Sequence, residues 1–274
     1  MIRIAILDMY EGVANEGMRG IRQLIEAFEV DFHTPLKYEI FDVRGKSEVP
    51  GPDYDLYIST GGPGSPLDSE GSVWERKYFT LIEKILDHNR TNPQQKKHVL
   101  LICHSFQLFC RYYKYAKVSK RKSTSFGVMP VFKTSEGHHD PLLRSLGDPF
   151  WAVDSRDYQI IQPDLKKLKN EGGLLLAIEK HRPHVLLERA VMAIRFDEAF
   201  IGFQFHPEAD ANGMQMYLLR EDKKELVIEK HGENKYWEML DHLRDPDKIM
   251  LTYNMVVPRF LMIGLKSYVS TITV

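Results

Sequence analysis

Cysteine is almost missing from this chain, with Cys103 and Cys110 the two examples in 274 residues. Their spacing fits neither a Cys-x-x-Cys metal site nor the dense disulfide framework of a small secreted domain, and a reducing cytoplasm suits them best. Long apolar runs are lacking as well. None nears the roughly 18 residues of a membrane span, because Pro258 and Arg259 interrupt the best candidate. The amino-terminal Met1-Ile2-Arg3-Ile4-Ala5-Ile6-Leu7-Asp8 is too short and too charged for a signal peptide. Nor does one sign of charge dominate: 37 basic against 38 acidic side chains leave a net charge of -1. That balance gives no footprint for nucleic acid, and the basic stretch Lys114 to Lys122 reads as a solvated helix end and loop. The His138-His139 pair and His104 lack ligand spacing, so no metal and no other cofactor is expected.

What is present is an ordinary globular composition, 43% hydrophobic and 27% charged. The length exceeds the roughly 100–200 residues of one domain yet falls short of two, which predicts one substantial domain with an appendage. Ile2 to Leu7, Tyr54 to Ser59 and His98 to Cys103 are short apolar runs. They alternate with helical patterns at Ala14 to Phe28 and Val73 to His88, which predicts right-handed crossovers and a parallel sheet covered on both faces. Phe126 to Phe132, Phe150 to Val153, Leu174 to Glu179, Val191 to Phe196 and Phe200 to Phe205 then read as closely spaced strands of a partly antiparallel region. Helices are expected at Met214 to Lys230, Lys235 to Leu243 and Asp247 to Tyr268, with a turn at Asp245-Pro246-Asp247. Trp237, Leu240, Leu243, Phe260, Leu261, Ile263 and Leu265 are expected to be buried against the main domain.

The chemistry gathers where these strands end. Leu100-Leu101-Ile102-Cys103 is an apolar run that stops at a cysteine and passes into the helix-like Phe106-Gln107-Leu108-Phe109. A strand-turn-helix elbow of this kind exposes a nucleophile in the field of a helix amino terminus, which favours the thiolate. A buried structural cysteine is the competing reading. His206 follows the strand Ile201-Gly202-Phe203-Gln204-Phe205, where its ring can act as general base and then acid. Glu208, two residues on, can hold the other ring nitrogen. Gly61-Gly62-Pro63-Gly64 follows another strand, either as a plain turn or as an amide-lined hole for an oxyanion. The expected donors are the amide of Gly62, with Gly61 beside it at the substrate, and the amide of His104.

These segments, with Phe126 to Val131 and Glu136 to Leu142 between them, resemble the class I, triad-type glutamine amidotransferase domain over residues 1–210. That family's Gly-Gly-Pro-Gly loop, Gly-x-Cys-x-Gly-x-Gln elbow and His-Pro-Glu end are met by Gly61 to Gly64, Cys103 with Gln107, and His206 to Glu208. The resemblance implies a flavodoxin-like α/β fold, a mostly parallel sheet flanked by helices, with residues 211–274 as a helical extension. It implies a Cys103-His206-Glu208 triad that attacks the glutamine side-chain amide through a γ-glutamyl thioester and releases ammonia, with Gln107 touching the glutamine. It also implies a separate ammonia-accepting synthetase subunit, since nothing after Glu208 resembles a nucleotide site. The extension can cover the site, form a homodimer or dock a partner, or simply pack on the core.

Two departures are visible. Leu101 and Ser105 stand where the elbow has glycines, and Asp154-Ser155-Arg156-Asp157 stands where the family has a Ser-His pair. Arg156 can pair with a substrate carboxylate, or form a surface ion pair with Asp154 or Asp157. The alternatives are a γ-glutamyl hydrolase or peptidase, a homoserine-type acyltransferase on the same fold, and a catalytically silent binding module.

Overall fold

The computed structural model describes residues 1–184, 186–245 and 247–272, with the side chains of 267–272 excepted; Pro246 of the expected turn lies outside the described residues. The first strand, β1 (Ile2–Asp8), shows in miniature why the chain folds as it does. Ile2, Ile4 and Ile6 point to one face and pack with Ile21, Leu24, Ile25 and Phe28 of helix α1 (Glu16–Phe32). Ala5 and Leu7 point to the other and pack with Tyr78, Phe79, Ile82 and Ile85 of α2 (Val73–Thr91). A strand apolar on both faces belongs inside a sheet with helices on either side. Asn15 starts α1 by accepting the Met18 amide, and Ser72 starts α2 by accepting that of Glu75.

The remaining elements are β2 (Leu36–Asp42), β3 (Leu56–Ser59), β4 (His98–Ile102), α3 (His104–Tyr112), β5 (Lys117–Lys133), α4 (Ser135–His139), β6 (Phe150–Ile161), α5 (Leu165–Asn170), β7 (Leu174–Glu179), β8 (Val191–Arg195) and β9 (Phe200–Phe203). After them come α6 (Ala211–Leu219), α7 (Glu221–His231), α8 (Glu233–Arg244) and α9 (Ile249–Ile272). Among the described residues the strands form one sheet in the order β2-β1-β3-β4-β9-β8-β7-β5-β6. Pairings are parallel from β2 through β9 and antiparallel from β9 to β6. The long β5–β6 hairpin curls back over the parallel part, so that His206 bridges Val153 of β6. This curl brings β6 across the carboxyl ends of β4 and β9.

A third apolar cluster joins Val128 and Val153 of the hairpin to Met214, Leu218, Val227, Tyr236, Met239, Leu240 and Leu243. Gly127 (φ +121°) allows this approach, since a Cβ there would lie 2.8 Å from the Met239 Cε. Helix α9 packs with Val256, Val257, Phe260 and Leu261 against the α1 side of the sheet. A Cβ at its Gly264 would lie 2.3 Å from Leu56 Cδ2 of β3. No helix among the described residues is long and apolar enough to cross a membrane.

Three local expectations are corrected. Lys117 to Lys122 lie in strand β5, not in a helix end and loop; exposed lysines are interspersed there with buried or half-buried residues, and β6 pairs with the backbone of Lys117 to Lys120. The helix expected over Met214 to Lys230 is two helices, because Arg220 between them is extended (φ −66°, ψ 130°). Trp237 is 50% exposed and donates to Glu233 along its own helix, while its neighbour Tyr236 takes the buried place and donates to the Leu218 carbonyl.

Candidate active site

Cys103 ends β4 and begins α3 in a single residue. Its N–H still follows the β4–β9 ladder, donating to the Phe203 carbonyl at 2.7 Å, while its carbonyl accepts the Gln107 amide at 3.0 Å. Between these bonds the backbone turns through φ 47°, ψ −97°, a conformation that costs a non-glycine residue about 1–3 kcal/mol. The strain lifts the thiol to the sheet edge, 5% exposed. It also leaves the His104 N–H at the first turn of α3, where no preceding helical carbonyl can take it.

The replaced glycines are accommodated by neighbours. Ser105 is tied into the elbow: its hydroxyl accepts the Ile102 amide at 2.9 Å and donates to the Ser59 carbonyl at 2.7 Å. Leu101 is fully buried, and its register partner on β9 is Gly202. A Cβ at Gly202 would lie 2.1 Å from the Phe106 ring. The close packing that α3 needs is thus supplied one strand over, by Gly202.

His206 enters from the end of β9, with its backbone N–H held by the Val153 carbonyl at 2.8 Å. Its Nδ1 lies 2.8 Å from Glu208 Oε1, and Cys103 lies close enough for its charge to act on the ring. Burial works against the charged ring, but Glu208 and Cys103 outweigh it and hold His206 well above its ordinary value. Glu208 itself is fully buried. Gly61 closes the site from β3: a Cβ there would lie 2.8 Å from His206 Cε1 and 3.6 Å from Cys103 Cβ. Gly62 has no room for a side chain, since a Cβ would come 2.3 Å from the Met9 carbonyl. The structure thus brings together Cys103, His206, Glu208, Gly61, Gly62 and the start of α3.

Gln107 and Arg156 are both buried. Gln107 is 3% exposed, and its Nε2 donates to the Tyr158 carbonyl and to Gln204 Oε1. Arg156 forms its ion pair in the interior, not at the surface: its side chain is 1% exposed and its Nε meets both oxygens of Asp154 at 2.8 and 2.9 Å. Glu179 lies 3.5 Å from its Nη2, and Arg121 reaches the same carboxylate at 3.0 Å. Burial works against the Glu179 charge, but Arg156 and Arg121 prevail and hold its carboxyl below the ordinary range. The His104 ring is also interior, pushed down to about 3 by burial and by the nearby Arg44 and Arg111, so it stays neutral.

Further residues shape the site beyond those expected from the motifs. Tyr10, after β1, directs its hydroxyl between α1 and Gly61, 3.3 Å from where a Gly61 Cβ would be. Burial, then Glu208 and Cys103, keep that phenol protonated. Arg44, after β2, donates to the Met9 and Pro63 carbonyls at 3.1 and 2.6 Å and pins the glycine loop. Gly17 and Gly20 give α1 a bare face on which Glu208 rests; a Cβ at Gly20 would lie 2.0 Å from the Glu208 carbonyl oxygen. Arg19, between them, pairs with Asp210 and fixes the chain just beyond. The mid-helix glycines were the one readable signal, because glycine there weakens a helix unless something approaches closely.

Residues 6–225 match the family model "Glutamine amidotransferase class-I". The chain belongs to the class I glutamine amidotransferase family. Its fold is that of this family: a mixed sheet, parallel in its first half, flanked by helices and followed by a helical segment. The glutamine amidotransferase of Thermotoga maritima superposes with a TM-score of 0.68 at 16% identity, covering 96% of this chain and 98% of that one. A glutamine amidotransferase from Methylobacillus flagellatus gives 0.63 at 16% identity, over 97% of this chain and 94% of that one. In sequence, a homoserine O-acetyltransferase of Petrotoga mobilis is 27% identical over 200 residues, 72% of this chain. The amidotransferase-family chain spans 59% of that relative's length.

Proposed function

We propose that this protein is a glutamine amidotransferase-like enzyme whose nucleophile is Cys103. The observation that carries the reading is a cysteine held at φ 47° at a strand-helix junction, with a histidine beside it across Gly61 that is itself 2.8 Å from a buried carboxylate. In this reading the Cys103 sulfur attacks the side-chain carbonyl carbon of glutamine. The amides of Gly62 and His104, with Gly61 adjacent, take the charge that develops on oxygen. As the C–N bond breaks, the protonated His206 ring gives its proton to the leaving nitrogen and ammonia departs, leaving a γ-glutamyl thioester. Water, losing a proton to His206, then cleaves the thioester to glutamate and the free thiol. Glu208 holds the ring through Nδ1 throughout.

The ammonia then passes to a separate synthetase subunit, and residues 211–274 form an extension that braces the β5–β6 hairpin over the site. Both cysteines are free and buried, which supports residence in a reducing cytoplasm. A second reading is favoured by the acetyltransferase relative: the same thiol accepts an acetyl group and hands it to a homoserine-like hydroxyl. A substrate panel separates the two, with a γ-glutamyl peptide included. The expected result is ammonia and glutamate in equal amounts from glutamine, lost in Cys103→Ala. Acetyl transfer from an acetyl thioester to homoserine, with no ammonia from glutamine, would replace the first reading by the second.

A further inference from the structure

Beside the thiol lies a polar relay that the triad does not use. Gln204 of the β9 end is fully buried, and its Nε2 stands 3.6 Å from Cys103 Sγ. Its Oε1 accepts Gln107 Nε2 at 3.1 Å, and the same nitrogen donates to the Tyr158 carbonyl at 3.2 Å. The direction of this relay follows from its far end. A backbone carbonyl can only accept, so the amide nitrogen of Gln107 must face Tyr158. The second hydrogen of that nitrogen then points at Gln204, which must answer with its oxygen. The Gln204 amide group is left facing sulfur, and a flipped Gln204 would set donor against donor.

The thiol also donates to the Ser155 carbonyl at 3.8 Å. That carbonyl favours the protonated thiol, because it can accept a hydrogen but repels negative charge. An amide N–H does the opposite, stabilising the thiolate and not the thiol. We infer that Gln204 is a catalytic residue that donates to the Cys103 thiolate, and that Gln107 is a positioning residue that orients it. The inference rests on Cys103 being the nucleophile, and it gives Gln107 a part through Gln204 where the family resemblance implied a contact to glutamine.

The test is the rate of Cys103 alkylation by iodoacetamide as a function of pH, read by intact mass. Cys110 does not interfere, being fully buried, with burial pushing its thiol well up. In Gln204→Met, which keeps length and loses the donor, alkylation at pH 7 is expected to slow about tenfold, with kcat falling and KM little changed. Gln204→Glu keeps the shape but sets a carboxylate beside the sulfur, so its profile moves further towards high pH. Gln107→Met leaves Gln204 in place but unoriented, and a slowing of about threefold is expected; it carries the test alone if the Gln204 variants do not fold. Profiles that match the wild type in all folded variants, with only the melting temperature changed, would overturn the inference and leave the relay a packing device. His206→Ala serves as the control. A wild-type rate that ignores His206 would instead overturn the triad reading, and the two failures are told apart by which variant leaves the rate unmoved.

Discussion

Replacing His206 by alanine is expected to lower turnover on glutamine by about 10⁴-fold while the fold persists. The ring lies beside Cys103 and is held by Glu208, so in the proposed mechanism its loss removes both the base that takes the thiol proton and the acid that serves the leaving nitrogen. Steady-state kinetics with a thermal melt checks this, and a fall of less than tenfold in a folded variant would remove His206 from the mechanism. The same substitution has a pH signature in stability. Because Glu208 and Cys103 overcome burial and raise His206 above its ordinary value of 6.5, the folded state binds that proton more tightly than the unfolded chain. The stabilisation is therefore complete below about pH 6.5 and is lost as pH climbs through the raised value. In His206→Ala this alkaline loss should be absent from urea denaturation measured across that window.

The second large effect is expected at a residue that makes no contact with substrate. In Gly20→Ala a methyl group would be placed 2.0 Å from the Glu208 carbonyl oxygen, a backbone atom that cannot rotate aside. Either α1 or the chain from His206 to Asp210 must move by more than an ångström. Helix propensity alone would make alanine the better residue by about 1 kcal/mol. The clash reverses that sign. Displacement of a catalytic group by this distance costs about 10²-fold in rate, so kcat should fall to roughly that extent with the melting temperature lowered. Gly12, in contrast, has nothing within 4 Å of where a Cβ would stand, so its replacement by alanine costs only the backbone strain of φ +74° and should leave kcat unchanged. A Gly20→Ala enzyme with unchanged kcat would show that the Glu208 segment is not held by α1.

The parts of this molecule that could be read from the sequence are those whose signal is local. Cys103, His206 and Gly61-Gly62 each follow a short apolar run, and strand ends in a parallel sheet share one edge. The periodicity of Ile21, Leu24, Ile25 and Phe28 likewise marks α1 before any contact is known. What could not be read depends on partners far along the chain. Gly20 owes its importance to Glu208, Arg44 to the Pro63 carbonyl, and Gly202 to the Phe106 ring. The role of Gln204 depends on Gln107 and Tyr158, brought together only when the β5–β6 hairpin curls over the sheet. The Lys117 to Lys122 part of β5 is hidden for a related reason: its lysines describe a solvated surface correctly, but the backbone pairing that makes Lys117 to Lys120 a strand comes from β6. Arg156 shows the opposite error, an arginine in a charged tetrapeptide that sequence alone could place only at a substrate or at the surface, whereas Asp154 and Glu179 neutralise it inside.

The most direct test of Cys103 as the glutamine-attacking nucleophile is an intact mass spectrum of the protein after incubation with a diazo-ketone analogue of glutamine, beside a Cys103→Ala control. A single adduct is expected on the wild-type chain and none on the control, which would establish Cys103 as an activated nucleophile in a site shaped for glutamine. No adduct, with Cys103 still readily alkylated by iodoacetamide, would contradict glutamine as the substrate.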